Sequence, residues 1–313
     1  MSELTWNTKR IKKKFWFEVV SQLRNNDGLE QLCSYFGLSR QAYYFRLHSQ
    51  IREQAACGLI LELVKSIRIN NPKMGVKKLY SLLATQIHLI DVNMGRDKFF
   101  DLLRNTDLLV KSSKKYVITT QSFGYINKYK DFYNKQIWTA AHQCWVCDLT
   151  YIRLESKFQY LFLLADAFSR KIVGWCLCDT METIYAEEAL KMALNQCPNP
   201  KGLVHHSDRG FQYTSHRYTK MLVEASITIS MGQIGYCYDN AMAERVNGIL
   251  KGEYNLGATF KDEKQAFNAT KQAIYYYNTQ RPHWSLNLKI PNDVHQHSEL
   301  SALNSKKMKE KQP

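Results

Sequence analysis

A chain of 313 residues exceeds one comfortable hydrophobic core and predicts two or three domains of about 100 to 150 residues each. With 45% hydrophobic and 23% charged residues, 14 Gly and 6 Pro, the composition excludes disordered, collagenous and repeat-built classes. The net charge is +15, and the surplus is uneven: residues 1–140 hold 23 basic and 11 acidic groups, residues 141–313 hold 20 and 17. A basic front joined to a nearly neutral body predicts a polyanion-binding region attached to a separate working domain, with a merely solubilising positive surface as the alternative. The longest apolar stretch, Tyr160 to Phe168, falls far short of the roughly 20 residues of a membrane helix and contains Asp166, so no bilayer span is expected. The amino-terminal residues carry charges but no secretory core or cleavage site, so a cytosolic chain is expected.

The first 110 residues read as helical, with two helix-turn-helix candidates. In the first, Asp27 and Glu30 resemble a capping box, and Leu29, Leu32, Cys33 and Phe36 recur along one helical face. Gly37 breaks that helix, and Ser39 can cap the next, RQAYYFRLH, in which Tyr43 and Leu47 turn inward. Arg40, Gln41 and Tyr44 are left outside as candidate groove or phosphate contacts. In the second unit Val76, Leu79, Tyr80 and Leu83 form one face, Asn93 can cap a further helix, and Phe99, Leu102 and Leu103 form the apolar face of that helix. Lys77, Lys78, Arg96 and Lys98 are left to face solvent or DNA. Either unit alone is as consistent with a plain helical hairpin; two in tandem on the basic half favour DNA.

From Lys111 to Gln136 the sequence turns polar and lysine-bearing, as a linker does. Three strand-like runs come next, WVCDLTYIRL, FQYLFLLAD and KIVGWCLC, then a helix with Ala186, Ala189, Leu190 and Ala193 on one face, then a short strand, GLVHH. Three hairpin-connected strands, a helix and a returning strand predict an α/β layer fold with a mixed sheet and flanking helices. Later helices are expected over Tyr213 to Glu224, Asp239 to Tyr254 and Asp262 to Gln280, where Pro282 stops the last. The implied domain boundaries are 1–50 and 51–110 for the helix-turn-helix regions, 111–137 for the linker, 138–296 for the α/β domain with its final helix, and 297–313 for a basic tail expected to fray.

Eight cysteines in a cytosolic chain predict reduced thiols. Cys144 with Cys147 and Cys176 with Cys178 invite a zinc reading, but strand side chains alternate faces, so residues three apart point oppositely and buried apolar thiols are the better account. The acidic residues are more informative. Asp148 lies within the first strand, Asp208 comes directly after the short fourth strand, and Glu244 sits one turn into the helix YDNAMAERVNGILKGEY. Carboxylates at adjacent strands and on a helix across them can converge to bind Mg²⁺. Two such ions roughly 4 Å apart suit phosphoryl displacement. Asn240, Asn247 and Lys251 share a helical face with Glu244, and that face is expected to look at DNA, with an ordinary solvated face as the alternative. His206 is read either as a phosphate or water contact or as a satisfied strand-end histidine, Asp166 as a turn cap or a partner of Arg170, and Tyr275 to Tyr277 as core.

The surrounding words are specific in combination: WVCDLTYIR with SRKIVGW, then HSDRGFQYTS, then YDNAMAERVNGILKGE, then YYYNTQRPHWSLNLKIPNDV. In order, from about Leu29 to Val294, the chain resembles the integrase-like second-frame transposases of the two-reading-frame insertion-sequence family, relatives of retroviral integrases with an RNase H-like core. The resemblance implies that Asp148, Asp208 and Glu244, with 35 residues between the last two, are the catalytic and metal-binding triad. It further implies two Mg²⁺ ions with Mn²⁺ as a substitute, and double-stranded DNA as partner, both terminal inverted repeats and target. A homo-oligomer on DNA, a small upstream-frame protein and a bacterial, nucleoid-associated location are implied as well. Two rivals stay open on the residues alone: a DNA-binding regulator with a degenerate core, and a stand-alone RNase H-like nuclease.

Overall fold

The computed structural model describes residues 15–23, 28–90, 93–111, 129–134, 136–232 and 240–310. The chain divides into two compact units, residues 1–65 with 83–106 and residues 66–82 with 107–313. In the first, α1 (residues 15–23), α2 (Leu29–Tyr35) and the start of α3 (Arg40–Asn70) close a small core around Val20, Cys33 and Tyr43. Gly37 takes the left-handed conformation (φ +69°) that the sharp turn between α2 and α3 requires. Ser39 caps α3, accepting from the Ala42 amide at 3.2 Å. Asp27 lies outside the described residues. α4 (Val76–Leu89) and α5 (Arg96–Asn105) come after α3, with Val76, Leu79, Leu83, Phe99 and Leu103 buried as the helical spacing predicts.

Three expectations in this region are corrected. α3 runs unbroken for 31 residues, so the boundary expected at 50/51 falls inside a helix. Asn93 does not cap α5, whose N-cap is Gly95; the Asn93 carbonyl instead accepts from the Lys98 ammonium. Lys78 does not face solvent or DNA. It is buried and donates to both Glu253 carboxylate oxygens at 2.9 and 3.1 Å. Arg281, also buried, grips the same carboxylate bidentately at 2.8 and 2.9 Å. Beside this cluster Tyr254 donates to Asn71, and Asn71 donates to Gln280.

The second unit is a mixed sheet in the order β3-β2-β1-β4-β5, with β6 also pairing β1. Its strands are β1 (Cys144–Leu154), β2 (Phe158–Asp166), β3 (Ile172–Cys178), β4 (Val204–Ser207), β5 (Thr228–Met231) and β6 (Thr259–Phe260). β1 to β3 are antiparallel hairpin neighbours; β4, β5 and β6 join in parallel. Alternation along β1 divides the core: Cys144, Val146, Ile152 and Leu154 face α9 (Ala241–Glu253) and α10 (Glu263–Thr279), while Trp145 and Cys147 face α6 (Thr183–Leu194), α7 (Phe211–Thr214) and α8 (His216–Glu224). Cys144 and Cys147 therefore lie on opposite faces and cannot share an ion. α6 lies so close to β3 that a Cβ on Gly174 would stand 2.1 Å from the Ala189 carbonyl oxygen.

The hairpin strands and α6 fall where the sequence places them, whereas β5 and β6, at four and two residues, carry too little periodicity to be read in advance. The helix expected from Tyr213 is interrupted at Ser215, which caps α8 by accepting from the Tyr218 amide. Residues 129–134 of the expected linker belong to the sheet layer: the Phe132 amide donates to Ser230, and Tyr133 stacks on His206 with ring centroids 4.7 Å apart. The frayed tail is replaced by α11 (Pro291–Glu310), a continuous helix across the expected 296/297 boundary. No helix among the described residues is long and apolar enough to cross a membrane.

Removing one partner from the Lys78, Glu253 and Arg281 cluster strands two buried cations, so Glu253→Gln is expected to destabilise the chain by about 3 kcal/mol in chemical denaturation. Burial by itself would push the Glu253 carboxyl up, but Arg281 and Lys78 outweigh it and hold it below 4.5. A depressed carboxylate stabilises above its unfolded value and loses that contribution as pH falls through the lower folded value. The difference between wild type and variant should therefore be full at neutral pH and shrink in acid below about 4.5.

Candidate active site

The position of the acids is a consequence of strand pairing. β1 and β4 run parallel with Cys147 opposite Ser207, which is the last pair, so the next residues of the two strands, Asp148 and Asp208, lie side by side. Both occupy the parity that faces α9. Among the described residues, the β1 edge beyond Cys147 has no strand beside it until Arg153 meets Thr259 of β6. The pair of acids thus opens onto a break in the sheet edge rather than into a ladder.

α9 closes over this break, and two asparagines fix where it does so. Asn240, its N-cap, donates to the Cys147 carbonyl at 3.0 Å, and Asn247 donates to Asp148 Oδ2 at 2.8 Å. Glu244 lies between them on the same face, four residues after one and three before the other, and is exposed. The helix therefore holds Glu244 near the stretch of β1 that carries Asp148, close enough for its charge to act on that carboxyl. Among the described residues the three carboxylates do not all come within 4.8 Å of one another.

The electrostatics report the same gathering. Burial, then the charge of Asp208, with a smaller push from Glu244, raise the Asp148 carboxyl to about 7 against the hydrogen bonds from Asn247 and the Leu149 amide. Asp208 is exposed at the strand end yet crowded by enough protein to push its carboxyl up, against a 2.9 Å bond from the Gly210 amide. A Cβ on Gly210 would come within 3.0 Å of that same carboxylate, so a small residue there keeps Asp208 accessible. Lys251 is half-buried; burial pulls its ammonium down while the Asp148 charge pulls it up, which puts it within electrostatic reach of the cluster. Carboxylate oxygens with a raised proton affinity make a strong hard-cation locus.

The other candidate residues are dispersed. Asn240 and Asn247 are buried and bonded to β1, so they position the acid-bearing strand rather than present themselves to DNA. Arg40, Gln41 and Tyr44 are exposed at the start of α3, with Arg40 3.9 Å from Glu30. Lys77 is exposed over the Trp284 ring, and Arg96 and Lys98 are exposed on α5. His206 is buried, bonded to Ser230 and stacked on Tyr133. Asp166 caps the β2–β3 turn, accepting from the Ser169 amide and hydroxyl; Arg170 turns to the Ala167 carbonyl instead. Tyr277 is buried, its hydroxyl donating to the Arg170 carbonyl.

The sheet is mixed and flanked by helices on both faces, and Asp148 and Asp208 stand where its central parallel pair ends. Two models of an integrase core domain match the chain, over residues 139–237 and 225–291. A 31 kDa protein of insertion element IS600 from Shigella sonnei is 31% identical over 256 residues, 80% of this chain and 93% of that protein. The transposase for insertion sequence element IS629, also from Shigella sonnei, is 32% identical over 271 residues, 84% of this chain and 90% of that one. Among solved structures, the HTLV-2 integrase catalytic core domain in complex with magnesium aligns with a TM-score of 0.41 at 19% identity, over 50% of this chain and 97% of that one. The chain belongs to the insertion-sequence transposases that carry an integrase core domain.

Because Asp208 and Asn247 act on Asp148 with opposite sign, their removal should move its titration oppositely. In the metal-free protein, tracked by carboxyl NMR, Asp208→Asn is expected to lower the Asp148 pKa below about 7 and Asn247→Ala to raise it. An Asp148 carboxyl indifferent to Asp208 would separate the two acids in space.

Proposed function

We propose that Asp148, Asp208 and Glu244 are the catalytic acids of this transposase and hold two Mg²⁺ ions, with Mn²⁺ able to replace them. The observation that carries the reading is the parallel register that places Asp148 beside Asp208, with Asn240 and Asn247 bracketing Glu244 above them. The donor set is all carboxylate oxygen, the chemistry that Mg²⁺ prefers. When bound, such ions supply activation of an attacking oxygen and neutralisation of a leaving one in phosphodiester displacement.

The chain's own residues do the positioning. Asn247 and the Leu149 amide hold one oxygen each of Asp148, and the Gly210 amide holds Asp208. Two carboxylates so oriented need little rearrangement as charge develops, which is where preorganised sites gain most. Lys251, one turn beyond Asn247, is assigned to a DNA phosphate. The attacking group is water, or the 3′-OH of an element end, and the exposed 3′-OH then attacks target DNA, without a covalent protein–DNA link.

The exposed basic, amide and aromatic groups at Arg40, Gln41, Tyr44, Lys77, Arg96 and Lys98 are assigned to double-stranded DNA, principally the terminal inverted repeats. Action as a homo-oligomer on DNA, with a small upstream-frame protein as partner, near the bacterial nucleoid, completes the reading.

Asp208→Asn preserves shape and removes charge. It is expected to lower cleavage and strand transfer by at least about a thousandfold while binding of element ends at low salt remains. The assay offers a labelled 3′-OH end and a plasmid: joining identifies the transposase, hydrolysis without joining a nuclease, and joining retained by Asp208→Asn would refute the assignment.

A further inference from the structure

The turn before β1, six residues ahead of Asp148 and up to about 20 Å from it along the strand, carries a second cluster of ligating atoms. His295 and Glu299 stand one turn apart on α11, and His142 lies in the turn before β1. His142 Nε2 is 3.0 Å from Glu299 Oε1 and 3.2 Å from His295 Nε2, and His295 Nε2 is 3.6 Å from the same carboxylate oxygen. Among the described residues this is the group of His, Cys, Asp or Glu whose ligand atoms all lie within 4.8 Å.

Hydrogen-bond accounting shows what these atoms offer one another. The Ser169 hydroxyl donates its one hydrogen to Asp166 Oδ1 at 2.8 Å, so toward His295 Nδ1, also at 2.8 Å, it can only accept. A carboxylate accepts more strongly than a neutral imidazole nitrogen, so the hydroxyl hydrogen goes to Asp166 and the arrangement assigns the His295 proton to Nδ1. The ring is fully buried, which favours its neutral form, and Nε2 keeps a lone pair. The Glu299 carboxylate likewise brings lone pairs only. His142 has at most one hydrogen on Nε2, which can serve one of these two neighbours and leaves the other facing a lone pair. Convergent lone pairs of this kind are held together by a cation.

The dimensions select the ion. A triangle with these three sides has a circumradius of about 1.9 Å, so an ion about 2.05 Å from each corner would stand about 0.8 Å off the plane, close to what tetrahedral coordination requires. Two imidazoles and one carboxylate are a zinc donor set with a fourth position for water. The Glu299 side chain is 34% exposed, so that position can open to solvent. Supporting bonds behind the ligands are present too. Asp166, fully buried, takes the Ser169 hydroxyl that fixes the His295 tautomer and also the His142 amide at 2.8 Å. His142 stands in the left-handed region (φ +62°), unfavourable for a residue with a side chain, with its amide bonded to Asp166.

We propose that His142, His295 and Glu299 form a zinc site, separate from the acidic cluster, that fastens α11 to the start of β1. The full-length chain, stripped of metal with a chelator, is titrated with Co²⁺ in excess Mg²⁺, which occupies the carboxylate cluster. One equivalent is expected to produce the intense visible absorption of four-coordinate Co²⁺, to be displaced by Zn²⁺, and Zn²⁺ should raise the melting temperature. Glu299→Ala alters a partly exposed side chain and is expected to weaken binding by at least about 100-fold with an unchanged circular dichroism spectrum; Asp208→Asn should bind as wild type does. Failure of the wild-type chain to bind, or Co²⁺ binding unchanged in Glu299→Ala, which would move the ion to cysteine thiolates, overturns the site.

Discussion

The parallel pairing of β1 with β4 is the constraint on which the rest depends. Four residue pairs, ending at Cys147 with Ser207, set the register, and because side chains alternate, that register alone puts Asp148 and Asp208 together on the face that α9 covers. A slip of one residue would turn one acid into the apolar layer beneath α6 and α8. The register is secured by the apolar groups on each side of it: Trp145 and Cys147 buried toward α6 to α8, Cys144 and Val146 toward α9 and α10. Burial of these large apolar groups, each worth roughly 1.5–3 kcal/mol, outweighs the repulsion between two carboxyl groups.

That repulsion is retained rather than relieved. Among the described residues Asp148 has no cationic side chain bonded to it; it has an amide side chain and a backbone amide, which orient it without neutralising it. Elsewhere the same unit neutralises an acid fully, giving Glu253 both Lys78 and Arg281. The contrast separates a carboxylate that holds elements together from a cluster left able to take up positive charge. The same economy recurs at Asp166, whose bonds go to Ser169 and the His142 amide and so shape the histidine cluster behind it.

Much of the sheet is legible in the sequence because its hairpin strands are long, apolar and bounded by turns, and because α6 and α8 to α10 carry clear periodicity and stops. The acids are legible through the words around them. The features that escape have a common cause. Lys78 looks like any exposed lysine of an amphipathic helix until Glu253, 175 residues away, is brought beside it. Asn240 and Asn247 share a face with Glu244 in either reading, but helical geometry does not say whether that face meets DNA or a strand of the same chain. The helix α11 escapes because the residue that its first half is bonded to, His142 against His295 and Glu299, stands more than 150 residues earlier.

The amino-acid sequence by itself determined the local matter: which segments are strand or helix, which side chains are apolar, that the basic excess lies in front, and which three acids stand in a characteristic order. These depend on period, propensity and charge, all of which are properties of neighbouring residues. Only the tertiary structure decided which polar groups are consumed by one another and which remain available, because a hydrogen bond or ion pair between distant residues depends on strand register and helix docking. That is why Lys78 and Asn247 are internal, why Glu244 is poised above Asp148, and why His142 meets the last helix.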